Sequence, residues 1–367
     1  MIKNRYIQGI WLTGLLFLWG CLVTGCSEQS EPDLQKGSLL QVNSMTRGDD
    51  EQQEMVVLPV PVGTSILMYL AYREEGMEAG KSESISGFVT YAGKNKNKDV
   101  WNSGVYVDVD QNYYVYGFMP SDLVNSSKIE PNLSGTTITG AKLVLNGVTA
   151  LSDKDFNVII GVRDGDVSEI VPGNFFYQAT IGEDNLLKGI SLLVDHLYAS
   201  AKFTITINSE YNKLRTIKLK SMKLACPSQT MYCKPNVTIT FTNGYRNPVT
   251  SVTTVQDTSE GADTRPAELT LFESAEGVEL KVDESILDVT GNFLPAYANY
   301  LSLVTTYDVY DKEGNKIREN CQSSNQLVRI ISNIGRGQRR PVALTVNPTY
   351  LYVLSDPDLD NPTLVVE

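Results

Sequence analysis

The stretch Asn236-Val237-Thr238-Ile239-Thr240-Phe241-Thr242-Asn243-Gly244 decides the fold class. Val237, Ile239 and Phe241 alternate with threonines. A period of two puts the three apolar side chains on one face of an extended strand. Asn243-Gly244 then supplies the residues that tolerate a tight hairpin turn. The same pattern recurs on both sides. Ala201, Phe203, Ile205 and Ile207 alternate with Lys202, Thr204 and Thr206. Val105, Val107 and Val109 face one way, with Tyr106, Asp108 and Asp110 opposite. Tyr113 to Phe118 is an aromatic strand that stops at Pro120, and Tyr300 to Tyr310 is a Thr/Tyr/Val strand that turns at Asp311 to Asn315. Val342 to Val346 and Thr349 to Leu354 are further candidates. Helical periodicity is weak, and Asp184 to Ile190 is the best short candidate. The expectation is an all-β chain of antiparallel β-sandwiches, two in tandem.

Length and charge narrow the function classes. A chain of 367 residues suits two domains, each able to bury a core without disulfides. The net charge is −12 and the pI near 4.8, so phosphate backbones are repelled and nucleic acid is not an expected partner. There are 19 Tyr and 10 Phe but one His, His196. A lone His excludes His-rich metal sites and leaves one candidate base for nucleophilic catalysis. Asp195 lies beside it, but sequence neighbours in a strand point to opposite faces, so His196 reads as a structural residue. Phosphate loops, paired Cys-x-x-Cys sites and nucleophile elbows are absent from the sequence. No enzyme activity and no cofactor are expected.

The N-terminus reads as a processing signal. Lys3 and Arg5 precede an apolar run from Ile10 to Val23 that is too short to span a membrane comfortably. It ends at Val23-Thr24-Gly25-Cys26, which resembles a bacterial lipobox. Cys26 is then the lipid-bearing first residue of the mature chain, palmitate being one acyl group it would carry. A plain signal peptide or an uncleaved anchor are the alternatives. Residues 27–54 are polar and acidic and read as a tether, interrupted by the apolar patch Leu39-Leu40-Gln41-Val42. The division that follows is a signal peptide at 1–25, a lipidated tether at 26–54, an N-terminal sandwich at 55–186 and a C-terminal sandwich at 187–367.

Three cysteines remain in the body of the chain. Cys226 and Cys233 flank Pro227-Ser228-Gln229-Thr230 and either bridge a hairpin or, with Cys321, stay as buried thiols. Asp356, Asp358, Asp360 and Glu367 mimic the offsets of a calcium loop, but Asn361 stands where a turn glycine is needed and no helices flank the segment. Turns between strands are the simpler reading, and no metal is expected. Arg47-Gly48-Asp49 spells an integrin tripeptide, a match short enough to arise by chance.

Several of these features together resemble the fimbrillins of Bacteroidales, the subunits of lipoprotein-derived pili and their anchor proteins. The lipobox at Cys26, the acidic tether and the tandem β pattern match. So do Tyr113-Tyr114-Val115-Tyr116-Gly117-Phe118-Met119-Pro120, the stretch Val194 to Phe203 around His196, and Asn347-Pro348-Thr349-Tyr350-Leu351-Tyr352-Val353-Leu354. The resemblance implies transthyretin-like, Greek-key sandwiches and export to the outer membrane. It also implies cleavage by an Arg-specific protease, which here would fall between Arg47 and Gly48. Loss of a strand near Leu39 to Val42 would open a slot for a neighbouring pilin's strand. The donor would be Val342 to Glu367, with Leu344, Val346, Leu351, Val353, Leu364 and Val366 filling pockets. A host or bacterial surface ligand is a further implied partner. The competing reading is a non-polymerising surface lipoprotein, either a pilus anchor or a glycan-binding adhesin whose tyrosines stack on sugars.

Overall fold

The computed structural model describes residues 37–48, 55–57, 60–96, 98–164, 170–228, 230–350 and 357–366. In it most of the period-two stretches are strands; of residues 105–110 only Tyr106–Val107 is a strand, with Val109 exposed in a turn, and residues 351–354 lie outside the described ones. Asn236–Thr242 buries Val237, Ile239 and Phe241 and leaves its threonines at intermediate exposure. It pairs antiparallel with Thr137–Asn146 on one side and Val249–Val255 on the other. Ser126–Ser134 completes that four-stranded sheet. The Asn243-Gly244 turn holds as expected, with Gly244 at φ +78°, a value an L side chain rarely adopts.

Facing this sheet is a nine-stranded one. Its path runs Met55–Val57, Val42–Gly48, Ile190–His196, Asn157–Asp164, Asn112–Met119, Ser65–Tyr72, Glu83–Asn95 and Lys98–Ser103, with Phe176–Gln178 paired to Asn112–Met119. Tyr116, Phe118, Val158 and Ile160 on one face pack against Leu143, Ile239 and Phe241 of the smaller sheet. Ile66, Met68, Leu70, Val115 and Val162 point the other way, into a second core with Val89, Trp101, Val105 and Val107. A strand buried on both faces cannot alternate polar and apolar residues. Ile190 to Val194 is accordingly buried throughout.

A second pair of sheets follows. Ala199–Ile207 lies between Val289–Phe293 and Arg339–Tyr350, with Leu151–Ser152 and Pro357–Val366 outermost. Glu268–Glu279, Thr216–Ala225, Ser302–Tyr310 and Lys316–Gln326 form the other sheet. Phe203, Ile205, Leu219, Leu224, Leu303 and Tyr307 share the core that also holds Tyr116 and Phe241. The Asp311–Asn315 turn forms as read, with the Asn315 N–H donating to Asp311 Oδ1 at 2.7 Å.

Hydrogen bonding crosses residue 187. Thr137–Asn146 pairs with Asn236–Thr242, Leu151–Ser152 with Val289–Phe293, and Val42–Gly48 with Ile190–His196. The chain passes from the nine-stranded sheet to the next pair at Leu197-Tyr198. The expected helix over Asp184 to Ile190 does not form. Gly182 N–H donates to Leu186 O, the Asp184 side chain accepts from Leu186 N–H, and Asn185 takes φ +59°. These local bonds close a tight turn in place of a helix.

Tyr116 fastens the two facing sheets. Its hydroxyl donates to Asn243 Oδ1 at 2.9 Å, and Asn243 Nδ2 donates to Ile138 O at 3.0 Å. Burial raises the Tyr116 phenol far above its ordinary range. Replacing Tyr116 by Phe leaves the Asn243 acceptor unpaired and costs about 1–2 kcal/mol. A thermal melt should fall by roughly 2–5 °C.

Candidate functional site

The polar stretch before Asp49 is built into the sheet as a strand. Ser38–Leu39 pairs with Tyr106–Val107, and Leu40 N–H donates to Val105 O at 2.9 Å. The chain then changes partner: Ile190 N–H donates to Gln41 O at 2.9 Å, and Val42–Gly48 runs parallel to Ile190–His196. Residues 38–48 thus join a separate two-stranded ladder, Ser38–Leu39 with Tyr106–Val107, to the Ile190–His196 strand of the nine-stranded sheet. Met55–Val57 pairs on their outer side, opposite Thr46 to Gly48.

Side-chain burial explains the placement. Leu40, Val42 and Met45 are 0 %, 5 % and 2 % exposed, within the core of Ile66, Val105, Val107 and Leu192. Val42 and Met45 are three residues apart and would face opposite ways in a regular strand. The closing strand bulges at Asn43: Val42 is opposite Ile190 and Ser44 is opposite the next residue, Ser191, so the extra residue turns both Val42 and Met45 inward. Each buried side chain contributes roughly 1.5–3 kcal/mol. Gly189 makes the close approach possible. A Cβ there would lie 2.4 Å from Asn43 Oδ1 and 3.0 Å from Gln41 O. The neighbouring Lys188 carbonyl accepts from the Tyr177 hydroxyl at 2.9 Å. Burial, followed by the charge of Asp164, holds the Tyr177 phenol well above its usual range.

The two residues of the expected cleavage site lie on this strand. The backbone of Arg47 is opposite Val194 on one side and Val56 on the other, and Gly48 is opposite Met55. Cys26 is outside the described residues. Of the donor-strand candidates, Leu344 and Val346 sit in an interior strand of their own sheet, 1 % and 0 % exposed and in register with Ile205 and Ile207. Leu364 is buried on the outermost strand opposite Val346, and the Val366 backbone lies opposite Leu344. Leu351 and Val353 are outside the described residues.

Cys226 and Cys233 are free thiols and do not bridge, and Cys321 is buried on the Lys316–Gln326 strand. Cys226 N–H donates to Ala267 O and Cys233 N–H to Arg265 O. Burial pushes the Cys226 thiol up to about 12, which leaves little nucleophilic thiolate at neutral pH. His196 closes a polar cluster where the chain changes sheets. Its Nδ1 is 2.6 Å from Asp155 Oδ2. Arg336 pairs with Asp195 and also donates to His196 O at 3.2 Å. Asp358 and Asp360 lie on the Pro357–Val366 strand, and no cluster of metal-ligating side chains occurs among the described residues.

Sequence reasoning missed Met45 and Gly189. The signal for Met45 was its spacing from Leu40 and Val42, masked by the polar residues around it. Gly189 carries no signal without the strand it accommodates.

No family model matches the sequence, and no curated protein does. Solved structures similar to this chain include Bacteroidales proteins named for cell adhesion, fimbriae and polysaccharide binding. A Bacteroides fragilis protein named for cell adhesion is 12 % identical, with 90 % of this chain and 94 % of that one covered and a TM-score of 0.39. A fimbrial protein from Bacteroides vulgatus is 10 % identical over 83 % and 91 % of the two chains, TM-score 0.36. The fimbrial anchor protein Mfa2 of Porphyromonas gingivalis is 12 % identical over 90 % and 96 %, TM-score 0.28.

Gly189→Ala should loosen the closing strand while leaving the rest of the fold in place. Limited trypsin digestion followed by mass spectrometry should show cleavage after Arg47 accelerated about tenfold, because local opening limits access to a bond held in a sheet. A rate equal to that of the native chain would mean that Gly189 does not set the fit.

Proposed function

We propose that this chain is a fimbrillin-type subunit of a cell-surface pilus, exported as a lipoprotein through Cys26 and assembled by strand exchange. One observation carries the reading: residues 38–48 form a closing strand whose far end holds the Arg47–Gly48 bond. A cut at that bond separates this strand from the rest of the described chain. Its departure would expose the unpaired edges of Tyr106–Val107 and Ile190–His196 and the pockets of Leu40, Val42 and Met45. Such an edge seeks a new strand. The incoming strand must supply main-chain hydrogen bonds and apolar side chains spaced for those pockets.

The Pro357–Val366 strand suits the donor role better than Arg339–Tyr350. It is outermost in its sheet and, among the described residues, pairs only with Arg339–Tyr350, so releasing it breaks one ladder. Withdrawing Leu344 and Val346 would instead open the core. Leu364 and Val366 are then the pocket-filling candidates. The non-polymerising anchor is supported by a different feature. Arg47 is paired on both sides, so an uncut chain keeps its slot filled by its own strand.

The two are separated by variants expressed at the native cell surface. The native chain should give a ladder on unboiled denaturing gels. Arg47→Ala and deletion of residues 357–367 should each abolish the ladder while the protein still reaches the membrane. A ladder that persists in both variants contradicts strand exchange by this route. No ladder from the native chain favours the anchor.

A further inference from the structure

The outer side of Val249–Val255 is the unguarded edge of this molecule. It forms the rim of the four-stranded sheet, and among the described residues no strand pairs with that side. Natural sheets protect such rims with charge, proline or brevity. The other described edge strands longer than three residues do so. Ser126–Ser134 carries Lys128, Glu130 and Pro131, and Lys98–Ser103 carries Lys98 and Asp99. Glu268–Glu279 and Lys316–Gln326 are charged, and Pro357–Val366 has two prolines and two aspartates. Val249–Val255 reads Val-Thr-Ser-Val-Thr-Thr-Val, with neither charge nor proline, on a chain of net charge −12.

That sequence is also nearly its own mirror. Two copies laid antiparallel about Val252 pair Val249 with Val255, Thr250 with Thr254, Ser251 with Thr253, and Val252 with Val252. Every pair is valine with valine or hydroxyl with hydroxyl, combinations that favour cross-strand contact. Sliding by two residues sets Val252 against Thr250 or Thr254 and loses the match. Sliding by one turns the apolar row outward.

The faces agree with this register. Val249, Val252 and Thr254 lie opposite the buried Phe241, Ile239 and Val237. Val249 and Val252 pack against that core but are only partly buried, since nothing continues the row beyond them. A two-fold mate would extend it from Ile239 through Val252 to the mate's Val252. A bulge at Thr250, whose hydroxyl donates to Thr240 O at 3.2 Å, confines regular two-fold pairing to residues 251–253.

We propose that Val249–Val255 is a self-association edge, joining two copies of this chain into a continuous eight-stranded sheet about a two-fold axis through Val252. The pairing requires neither lipid nor cleavage and stands apart from strand exchange. A short ladder buries little area, so association is weak, at about micromolar dissociation constants or above.

Sedimentation velocity on the uncut full chain in mild detergent, from about 1 to 200 μM, covers that range. The native chain should shift from monomer to dimer. Ser251→Lys combined with Thr253→Lys sets like charges against each other in all the central pairs and should weaken the dimer about tenfold or more. Ser251→Glu with Thr253→Glu should do the same. Both positions are exposed and face away from the core, so the melting temperature should hold. Mixing the two variants pairs Lys with Glu throughout and should restore a heterodimer. A native chain that stays monomeric at the highest concentration overturns the proposal. So does a doubly lysine-substituted chain that dimerises as well as the native one, or a mixture that fails to associate.

Discussion

Every backbone N–H and C=O on a buried strand edge needs a partner, and residues 38–48 supply those partners both in a two-stranded ladder of their own and along the nine-stranded sheet. One end of the segment bonds to Tyr106–Val107 and the other to Ile190–His196. Without it two edges are unpaired and a core lined by Val105, Val107 and Leu192 loses three apolar side chains. Unpaired buried backbone and vacated apolar pockets are both costly. The strand is therefore a structural requirement of the sheet, while its covalent attachment to the chain is not. Any strand with matching pockets satisfies the same demand.

The double-sided burial of the nine-stranded sheet follows from that closure. Its middle strands serve two cores, one shared with the four-stranded sheet and one enclosed by the curl. Residues 158–162 and 192–194 carry no polar side chain for this reason. The shared core also runs on into the second pair of sheets through Phe293, Leu344 and Tyr297. Strands from distant parts of the sequence interleave, so the molecule is stitched by long-range pairing and not by two self-contained halves of chain.

The all-β class was legible in Val237, Ile239 and Phe241, because one buried face imposes a period of two that survives any detail of packing. The turns at Asn243-Gly244 and Asp311–Asn315 were legible because their chemistry is local. The helix read into Asp184 to Ile190 failed because side-chain bonds from Asp184 outcompeted a short helix with no packing partner. The closing strand was half legible. Leu39 to Val42 showed as a strand, but Asn43, Ser44, Thr46 and Arg47 look like a solvated tether, and only the bulge at Asn43 brings Met45 inward. The pairings that cross residue 187 left no mark in the sequence, since period two states which face is buried and not which strand lies alongside.

The central claim is that the closing strand is removed from the mature protein. Mass spectrometry of the mature N-terminus, on protein taken from the native cell surface, tests it most directly. The account predicts a chain that starts at Gly48. A lipid-modified Cys26 as the sole start would contradict it and leave a surface protein that keeps its own strand in the slot.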